Sequence, residues 1–213
     1  MTERIHQDNE TLTDGAPLAE ATVAVLLMHG RGATARDMLP FTSQIPQDGV
    51  AYLMPQASNN TWYPRSGFGP FEANEPYLSS AWDTITEKLQ HIINAGIPQE
   101  KIVVGGFSQG ACLTAEYVAR HPGRYGGLIV LSGALMGPPD TPRDYDGSLE
   151  KTQIWVGGAD QDSWVTEDQL NETSAVLHRM GGRVSTEIHA SAEHTIRPTD
   201  VRNTARIINM LTA

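Results

Sequence analysis

One stretch near the middle of the chain restricts the fold more than any other feature of the sequence. Residues 101–107 read KIVVGGF, an apolar run typical of a strand that is buried on both faces. The chain continues as SQG and then as a stretch with helical spacing. A strand that passes into a helix through Gly-Phe-Ser-Gln-Gly needs both glycines, because side chains at those positions would clash in so tight a turn. Ser108 in this turn is either a nucleophile held out into solvent or a serine that only caps the following helix.

Short apolar runs alternate with helix-like segments along the whole chain, which is the pattern of a mostly parallel sheet with helices on both faces. The length of 213 residues suits a single α/β domain over residues 1–213. The polar residues 1–15 are expected to be loosely ordered. The predicted strands are residues 22–28, 50–55, 101–107, 127–133, 152–158 and 184–189.

Helices are predicted from apolar periodicity and from capping residues. Apolar side chains recur at three- and four-residue steps within residues 78–93, and Gly96 ends that helix. A capping box begins another helix at Thr166, and a last helix is expected over about residues 199–211. Residues 55–76 fit neither period and are expected to form a long surface loop, a feature that tends to be functional in compact domains.

The charge balance argues against two classes of partner. The chain has 25 acidic and 15 basic residues, a formal net charge of −10 and a pI near 5.0, so its field repels nucleic acids and anionic bilayers. Its apolar runs fall short of the roughly 18 residues that a membrane span needs, so neither stable membrane insertion nor a secretory signal is expected. Cys112 is the single cysteine, which excludes an internal disulfide and favours the cytoplasm. No His or Cys spacing indicates a metal or another cofactor.

Chemistry in a parallel α/β sheet is expected at the carboxyl ends of the strands. The first predicted strand ends in LMHGRGAT, whose His-Gly turn lets backbone N–H groups point toward the serine without a bulky side chain in the way. The N–H groups of Arg31 and of Gln109, the residue after the serine, are therefore candidate donors to a developing oxyanion. The Arg31 side chain itself is interpreted as a solvated surface charge.

Three later strand ends supply the residue types of a nucleophilic triad. Ser108 follows the third strand, and GGADQDSWV places Asp160 and Asp162 after the fifth. HASAEHTIRP places His189 and His194 after the sixth. A serine hydroxyl needs an imidazole to take its proton, and the imidazole needs a carboxylate to hold its tautomer. His194 is favoured as the base because it lies farther out in its loop, whereas the two Asp residues share one face of an extended segment and periodicity does not choose between them.

These motifs together resemble the phospholipase/carboxylesterase family of small α/β hydrolases, to which the acyl-protein thioesterases belong. The resemblance rests on LMHGRGAT, GIPQEKIVVGGFSQGACLTAEY, LSGAL and the acid and histidine loops, and it extends from about residue 22 to the end. It implies an α/β-hydrolase fold without a cofactor, with Ser108 as nucleophile and His194 as base, and it allows a homodimer. The family's acid stands three residues before the valine of Asp-Pro-x-Val, which is the offset of Asp162 from Val165 and assigns Asp162 as the acid.

Two departures from the family pattern bear on the substrate pocket. This chain has DSWVT where the family has Asp-Pro-x-Val-Pro, and Glu-His where the family has Gly-His before the base. Trp62 and Tyr63 in the 55–76 loop are expected to bind substrate, and Met136 after LSGAL is a further candidate wall residue. The same loop also carries Phe68 and Phe71, and its aromatic residues form either a wall of the acyl pocket or a cluster that fastens a long loop to the core.

The expected activity is that of a serine carboxylesterase that hydrolyses carboxylic esters, preferably short-chain ones, through an acyl-Ser108 intermediate. A thioesterase or lysophospholipase for longer acyl chains is the alternative within the class. The alternative from another class is a non-catalytic binding module on the same fold, although such a module has no need of a complete triad. The expected partner is a small-molecule ester or thioester.

Overall fold

The computed structural model describes residues 3–46 and 48–212, and these residues fold around one seven-stranded sheet. Its strands are β1 (Thr11–Gly15), β2 (Val23–Met28), β3 (Val50–Pro55), β4 (Ile102–Phe107), β5 (Gly127–Leu131), β6 (Gln153–Ala159) and β7 (Arg183–His189). The strand order is β1-β3-β2-β4-β5-β6-β7, with β1 antiparallel to β3 and every other pairing parallel. The mostly parallel sheet that the alternating sequence pattern predicts is confirmed.

Helices cover both faces of the sheet, as the pattern also predicts. They are α1 (Leu39–Thr42), α2 (Tyr77–Asn94), α3 (Gln109–Arg120), α4 (Glu167–Arg179) and α5 (Pro198–Thr212). Alternate residues of β2 enter two separate cores, because successive side chains of a strand point to opposite faces. Ala24 and Leu26 pack on the side of α2, α3 and α4, whereas Val23 and Val25 pack on the side of α1 and α5.

The long helices begin and end where the sequence indicates. Helix α2 ends before Gly96, whose φ of +101° is a conformation that glycine adopts without steric cost. Helix α4 begins with the predicted capping box, in which Thr166 Oγ1 accepts the Gln169 N–H at 3.3 Å. Gln169 Oε1 in turn accepts the Thr166 N–H at 2.9 Å, so two donors at the helix start are satisfied.

The start of the chain is more ordered than its polar composition indicates. Backbone pairing of β1 with β3 adds an edge strand to the sheet, and the His6 side chain is buried. The His6 Nε2–H donates to the Trp62 carbonyl at 3.0 Å, while Nδ1 accepts the Ser58 N–H at 3.1 Å. The expectation of a loosely ordered segment is therefore wrong for residues 3–15, because backbone hydrogen bonds and one buried imidazole hold it rather than an apolar run.

The sheet register brings the loops that carry chemistry to one edge. Met28 at the end of β2 pairs with Gly106 near the end of β4, and Ala159 at the end of β6 pairs with His189 at the end of β7. The segments that follow these strands therefore leave the sheet at the same side. Among the described residues, no helix is both long enough and apolar enough to cross a bilayer.

Candidate active site

Ser108 stands alone between β4, which ends at Phe107, and α3, which begins at Gln109. Its backbone has φ 54° and ψ −119°, a conformation that costs a non-glycine residue on the order of 1–3 kcal/mol. The flanking glycines explain why the chain tolerates this turn. A Cβ atom on Gly106 would lie 2.5 Å from the Met28 carbonyl oxygen, and one on Gly110 would lie 2.2 Å from the same oxygen. Both positions therefore require glycine so that β2 can approach the turn.

A continuous chain of hydrogen bonds joins Ser108, His194 and Asp162. His194 Nε2 lies 2.7 Å from Ser108 Oγ, and His194 Nδ1 lies 2.6 Å from Asp162 Oδ2. A carboxylate only accepts, so Nδ1 carries the hydrogen and Nε2 is left to accept the serine hydroxyl. The Asp162 side chain is 1% exposed and that of His194 is 20% exposed, so the carboxylate lies behind the imidazole and away from solvent.

The other acid and the other histidine lie elsewhere. Asp160 Oδ1 accepts the Ser191 N–H at 3.0 Å and so ties the loop after β6 to the loop after β7. His189 Nε2 lies 3.0 Å from Thr199 Oγ1. The structure thus brings Asp162 and His194 to Ser108, the pair that the sequence favours, whereas Asp160 contacts the loop after β7 and His189 contacts the start of α5.

The turn after β2 lies directly beside the serine. A Cβ atom on Gly30 would be 3.4 Å from Ser108 Cβ. Among the described residues, the backbone N–H groups of Arg31 and Gln109 donate no hydrogen bond to another protein atom. One of these N–H groups belongs to the residue after the nucleophile and the other to the adjoining turn, which are the two positions where the donors of an oxyanion hole are expected.

His29 holds this turn in place from behind. Its Nδ1–H donates to the Gly30 carbonyl at 2.8 Å, and its Nε2 accepts the Ala57 N–H at 3.1 Å. Burial lowers the pKa of His29, so the ring stays neutral and keeps this donor and acceptor arrangement at neutral pH. The Trp62 Nε1–H donates to the His29 carbonyl at 2.9 Å and fixes the other side of the turn.

The Gln109 side chain fastens the 55–76 loop to the serine turn. Its Oε1 accepts the Trp62 N–H at 2.9 Å, and its Nε2 donates to the Tyr63 carbonyl at 2.8 Å. Gln109 therefore contributes its backbone to the site and its side chain to the position of the loop.

A cavity of about 590 Å³ opens in front of Ser108 and His194. Tyr63 lines it, as expected, but Trp62 and Met136 do not. Both are fully buried: the Trp62 indole supports the oxyanion turn, and the Met136 N–H donates to the buried Glu116 carboxylate at 3.1 Å. The expectation that Trp62 and Met136 touch substrate therefore fails, because each is committed to the protein interior.

Several lining residues were not expected from the sequence. Phe107, Trp164 and Arg65 all line the cavity, and Trp164 is 69% exposed. Phe68 also lines it, but this residue belongs to the aromatic group of the 55–76 loop that the sequence offers as a candidate wall. Trp164 lies in the segment DSWVT, so the departure from the family pattern is the signal that could have identified it. Phe107 is the first of the two variable residues of the Gly-x-Ser-x-Gly pentapeptide, and nothing in the sequence marks it as a wall residue.

Cys112 forms part of the inner cavity wall. Its thiol accepts the Ala134 N–H at 3.3 Å, and burial raises its pKa to about 11. A thiol that stays protonated is a poor nucleophile, so Cys112 contributes an apolar surface rather than chemistry. No group of three or more His, Cys, Asp or Glu side chains within residues 3–46 and 48–212 is placed to hold a metal ion.

The sheet order and the turn at Ser108 define a protein of the α/β-hydrolase fold. The family model described as phospholipase/carboxylesterase matches residues 15–212, and the chain belongs to that family of ester and thioester hydrolases. The crystal structure of a phospholipase/carboxylesterase from Dyadobacter fermentans is 33% identical, covers 100% of both chains and superimposes with a TM-score of 0.90. Acyl-protein thioesterase 1 from Debaryomyces hansenii is 26% identical over an alignment of 184 positions, and the alignment covers 76% of this chain and 78% of that protein.

A more distant structure shows the same fold. The Bacillus cereus carboxylesterase is 16% identical, with 95% of this chain and 94% of that chain covered and a TM-score of 0.75. At that identity the likeness concerns the arrangement of the sheet and helices alone.

Proposed function

We propose that the protein is a serine carboxylesterase that works through an acyl-Ser108 intermediate. His194 Nε2 takes the hydroxyl proton as Ser108 Oγ attacks the substrate carbonyl carbon. The carbonyl oxygen becomes an oxyanion and accepts the free N–H groups of Arg31 and Gln109. The intermediate collapses, the bond to the leaving group breaks, and the leaving oxygen or sulfur takes the proton from His194.

The second half of the reaction repeats these roles with water. His194 removes a proton from water, the resulting hydroxide attacks the acyl carbon, and Ser108 Oγ leaves with the proton that His194 returns. Asp162 stays ionised throughout and stabilises the imidazolium through the 2.6 Å hydrogen bond. The single observation that carries the proposal is the hydrogen-bonded Ser108–His194–Asp162 chain, whose serine and histidine line a cavity that Arg31 and Gln109 also line.

The size of the cavity supports a small ester as the preferred substrate. Its volume of about 590 Å³ is within the range of small-molecule pockets, and Phe68 and Phe107 give it apolar walls for a short acyl chain. The alternative of a thioesterase or lysophospholipase is favoured by one observation, the likeness to a protein named acyl-protein thioesterase 1. A series of 4-nitrophenyl esters and matched thioesters of increasing chain length separates the two activities through kcat/KM.

A fluorophosphonate probe tests whether the site is catalytic at all. The probe should label the wild-type protein at Ser108 and should leave Ser108→Ala unlabelled. The same variant should lose ester turnover by about 10⁵- to 10⁶-fold while its unfolding midpoint is retained. A wild-type protein that neither reacts with the probe nor hydrolyses any ester would instead be a binding module on this fold.

Location and oligomeric state complete the proposal. A reducing cytoplasm fits a chain whose one cysteine, Cys112, is a buried free thiol. A homodimer is tested by sedimentation, with a mass near 23.2 kDa expected for one chain and about twice that for the dimer.

A further inference from the structure

The charged residues that line the catalytic cavity have the opposite sign to the protein as a whole. The chain carries a formal net charge of −10. Arg31 and Arg65 line the cavity, and among the described lining residues there is no Asp or Glu. Asp162, the acid that contacts His194, has its side chain 1% exposed and does not line the cavity. The opening in front of Ser108 is therefore a cationic region in an acidic protein.

The Arg31 guanidinium is hydrogen-bonded to backbone carbonyls of the protein. Its Nη1 donates to the Pro64 carbonyl at 2.9 Å, and its Nη2 donates to the Arg65 carbonyl at 2.5 Å. It also lies 5.7 Å from the centre of the Tyr63 ring. Arg31 thus clamps the backbone of the loop that forms one wall of the cavity, and its positive charge stays at the rim.

The backbone of Arg65 is held from a second side as well. Its N–H donates to Asn74 Oδ1 at 2.8 Å, and Asn74 Nδ2 donates to the Ser66 carbonyl at 3.0 Å. Asn74 is buried, so both bonds are shielded from water. The loop is fixed on each side of residue 65 before any substrate arrives.

Arg65 lines the cavity and is exposed, and its guanidinium has no hydrogen bond or ion pair with any residue in 3–46 or 48–212. Arginine presents a planar set of donors that suits a carboxylate or a phosphate in two parallel hydrogen bonds. A free guanidinium on a fixed backbone loses little conformational freedom of the loop when it binds an anion.

We propose that Arg65 is the binding site for an anionic group of the substrate, and that the natural substrate is an ester or thioester with a carboxylate or phosphate remote from the scissile carbonyl. This inference rests on the proposed function for the position of the scissile bond. Neutral esters still react, because the triad and the oxyanion donors act on every substrate alike, whereas Arg65 acts only on the remote anion.

Matched esters test the proposal directly. The neutral substrate is 4-nitrophenyl pentanoate, and the carboxylate substrate is the mono-4-nitrophenyl ester of glutarate, which has the same acyl length. The 4-nitrophenyl ester of 3-phosphonopropanoate separates a preference for phosphate-like groups from one for carboxylates. Arg65→Gln should lower the ratio of anionic to neutral kcat/KM on the order of 10- to 100-fold, Arg65→Lys should retain part of the ratio, and Arg65→Glu should lower it further.

Arg202→Gln is the matched control for net charge. Arg202 is exposed on α5 and does not line the cavity, so its loss should leave the selectivity ratio within about twofold of wild type. An equal change of the ratio in Arg65→Gln and Arg202→Gln would assign the effect to the overall field and overturn the proposal. Equal losses on neutral and anionic esters in Arg65→Gln would overturn it as well.

A binding measurement separates this proposal from the proposed function. In a Ser108→Ala background, methyl hydrogen glutarate should bind more tightly than methyl pentanoate by calorimetry, and adding Arg65→Gln should remove the difference. A wild-type protein without esterase activity would contradict the proposed function while this binding difference still stands. Active wild-type protein without the binding difference would contradict the anionic subsite alone.

Discussion

Replacing Asp162 with Asn tests whether the tautomer of His194 is set by the neighbouring side chain. Asp162 Oδ1 accepts the backbone N–H groups of Trp164 at 2.8 Å and Val165 at 3.3 Å. In Asp162→Asn the amide oxygen must stay at that position, because an NH₂ group there would face two donors. The NH₂ group is thereby forced toward His194 Nδ1.

The expected loss follows from this forced orientation. With an NH₂ donor opposite it, Nδ1 becomes an acceptor, the ring hydrogen moves to Nε2, and Nε2 no longer accepts the Ser108 proton. Holding the imidazole in the wrong tautomer costs on the order of 10⁴ in kcat, which corresponds to about 5.5 kcal/mol of activation free energy. In the matched variant Asp160→Asn, the amide oxygen still accepts the Ser191 N–H, so kcat should stay within about threefold of wild type.

The assay compares kcat for 4-nitrophenyl acetate in both variants, with the urea unfolding midpoint measured on the same samples. Both substitutions keep the shape of the side chain, so neither midpoint should fall far enough to explain a loss of activity. A loss of about 10⁴ in Asp160→Asn, or near-normal kcat in Asp162→Asn, would refute the assignment of the acid. A matching fall in stability and activity in Asp162→Asn would point to unfolding instead of the tautomer.

Three further predictions concern the surroundings of the triad. The Arg197 guanidinium donates to the backbone carbonyls of Glu193 and Thr195, the residues on either side of His194. Arg197→Met should therefore lower kcat about 10- to 100-fold with KM little changed, and Arg197→Lys should retain part of the lost kcat. An equal loss of kcat in both variants would contradict a positioning role. Because burial raises the pKa of Cys112 to about 11, iodoacetamide at about pH 8 should label the native protein far more slowly than the urea-unfolded chain, as read by mass spectrometry. Burial lowers the pKa of His6 from 6.5, so the unfolded chain binds its proton more readily and stability should fall as the pH drops below about 6.5. His6→Gln should flatten this fall in the melting temperature, and His29, whose pKa burial also lowers, should account for the remainder.

The sequence predicts well the strands, turns and helices that are determined by interactions between residues close together in the chain. The apolar run before Ser108 and the two glycines around it predict a strand, a turn and a helix, because sterics within a few residues permit little else. The capping box at Thr166 and the end of α2 before Gly96 are local for the same reason. Strand β1 escaped prediction because its stability comes from backbone bonds to β3, about 40 residues away in the chain, and not from its own side chains.

The candidate site divides in the same way. Residue types and their order in the chain predict a serine, two acids and two histidines at the ends of strands. The three-residue spacing between the acid and the valine in the family pattern then favours Asp162 over Asp160. That Asp162 faces the imidazole while Asp160 faces Ser191 depends on how two loops from β6 and β7 pass one another, 32 residues apart in the chain.

Trp62 and Tyr63 show what only the tertiary structure decides. They are adjacent, aromatic and on one loop, yet the indole of Trp62 is buried against His29 while Tyr63 lines the cavity. The sequence by itself determined the succession of strands from β2 to β7 with the long helices between them, the serine turn and the set of residue types available for chemistry, because short-range sterics and apolar periodicity act within a segment. Only the tertiary structure decided that Asp162 rather than Asp160, and Tyr63 rather than Trp62, reaches the site. The choice depends on packing and hydrogen bonds between segments that are far apart in the chain, and these contacts exist only when both segments are in their folded positions.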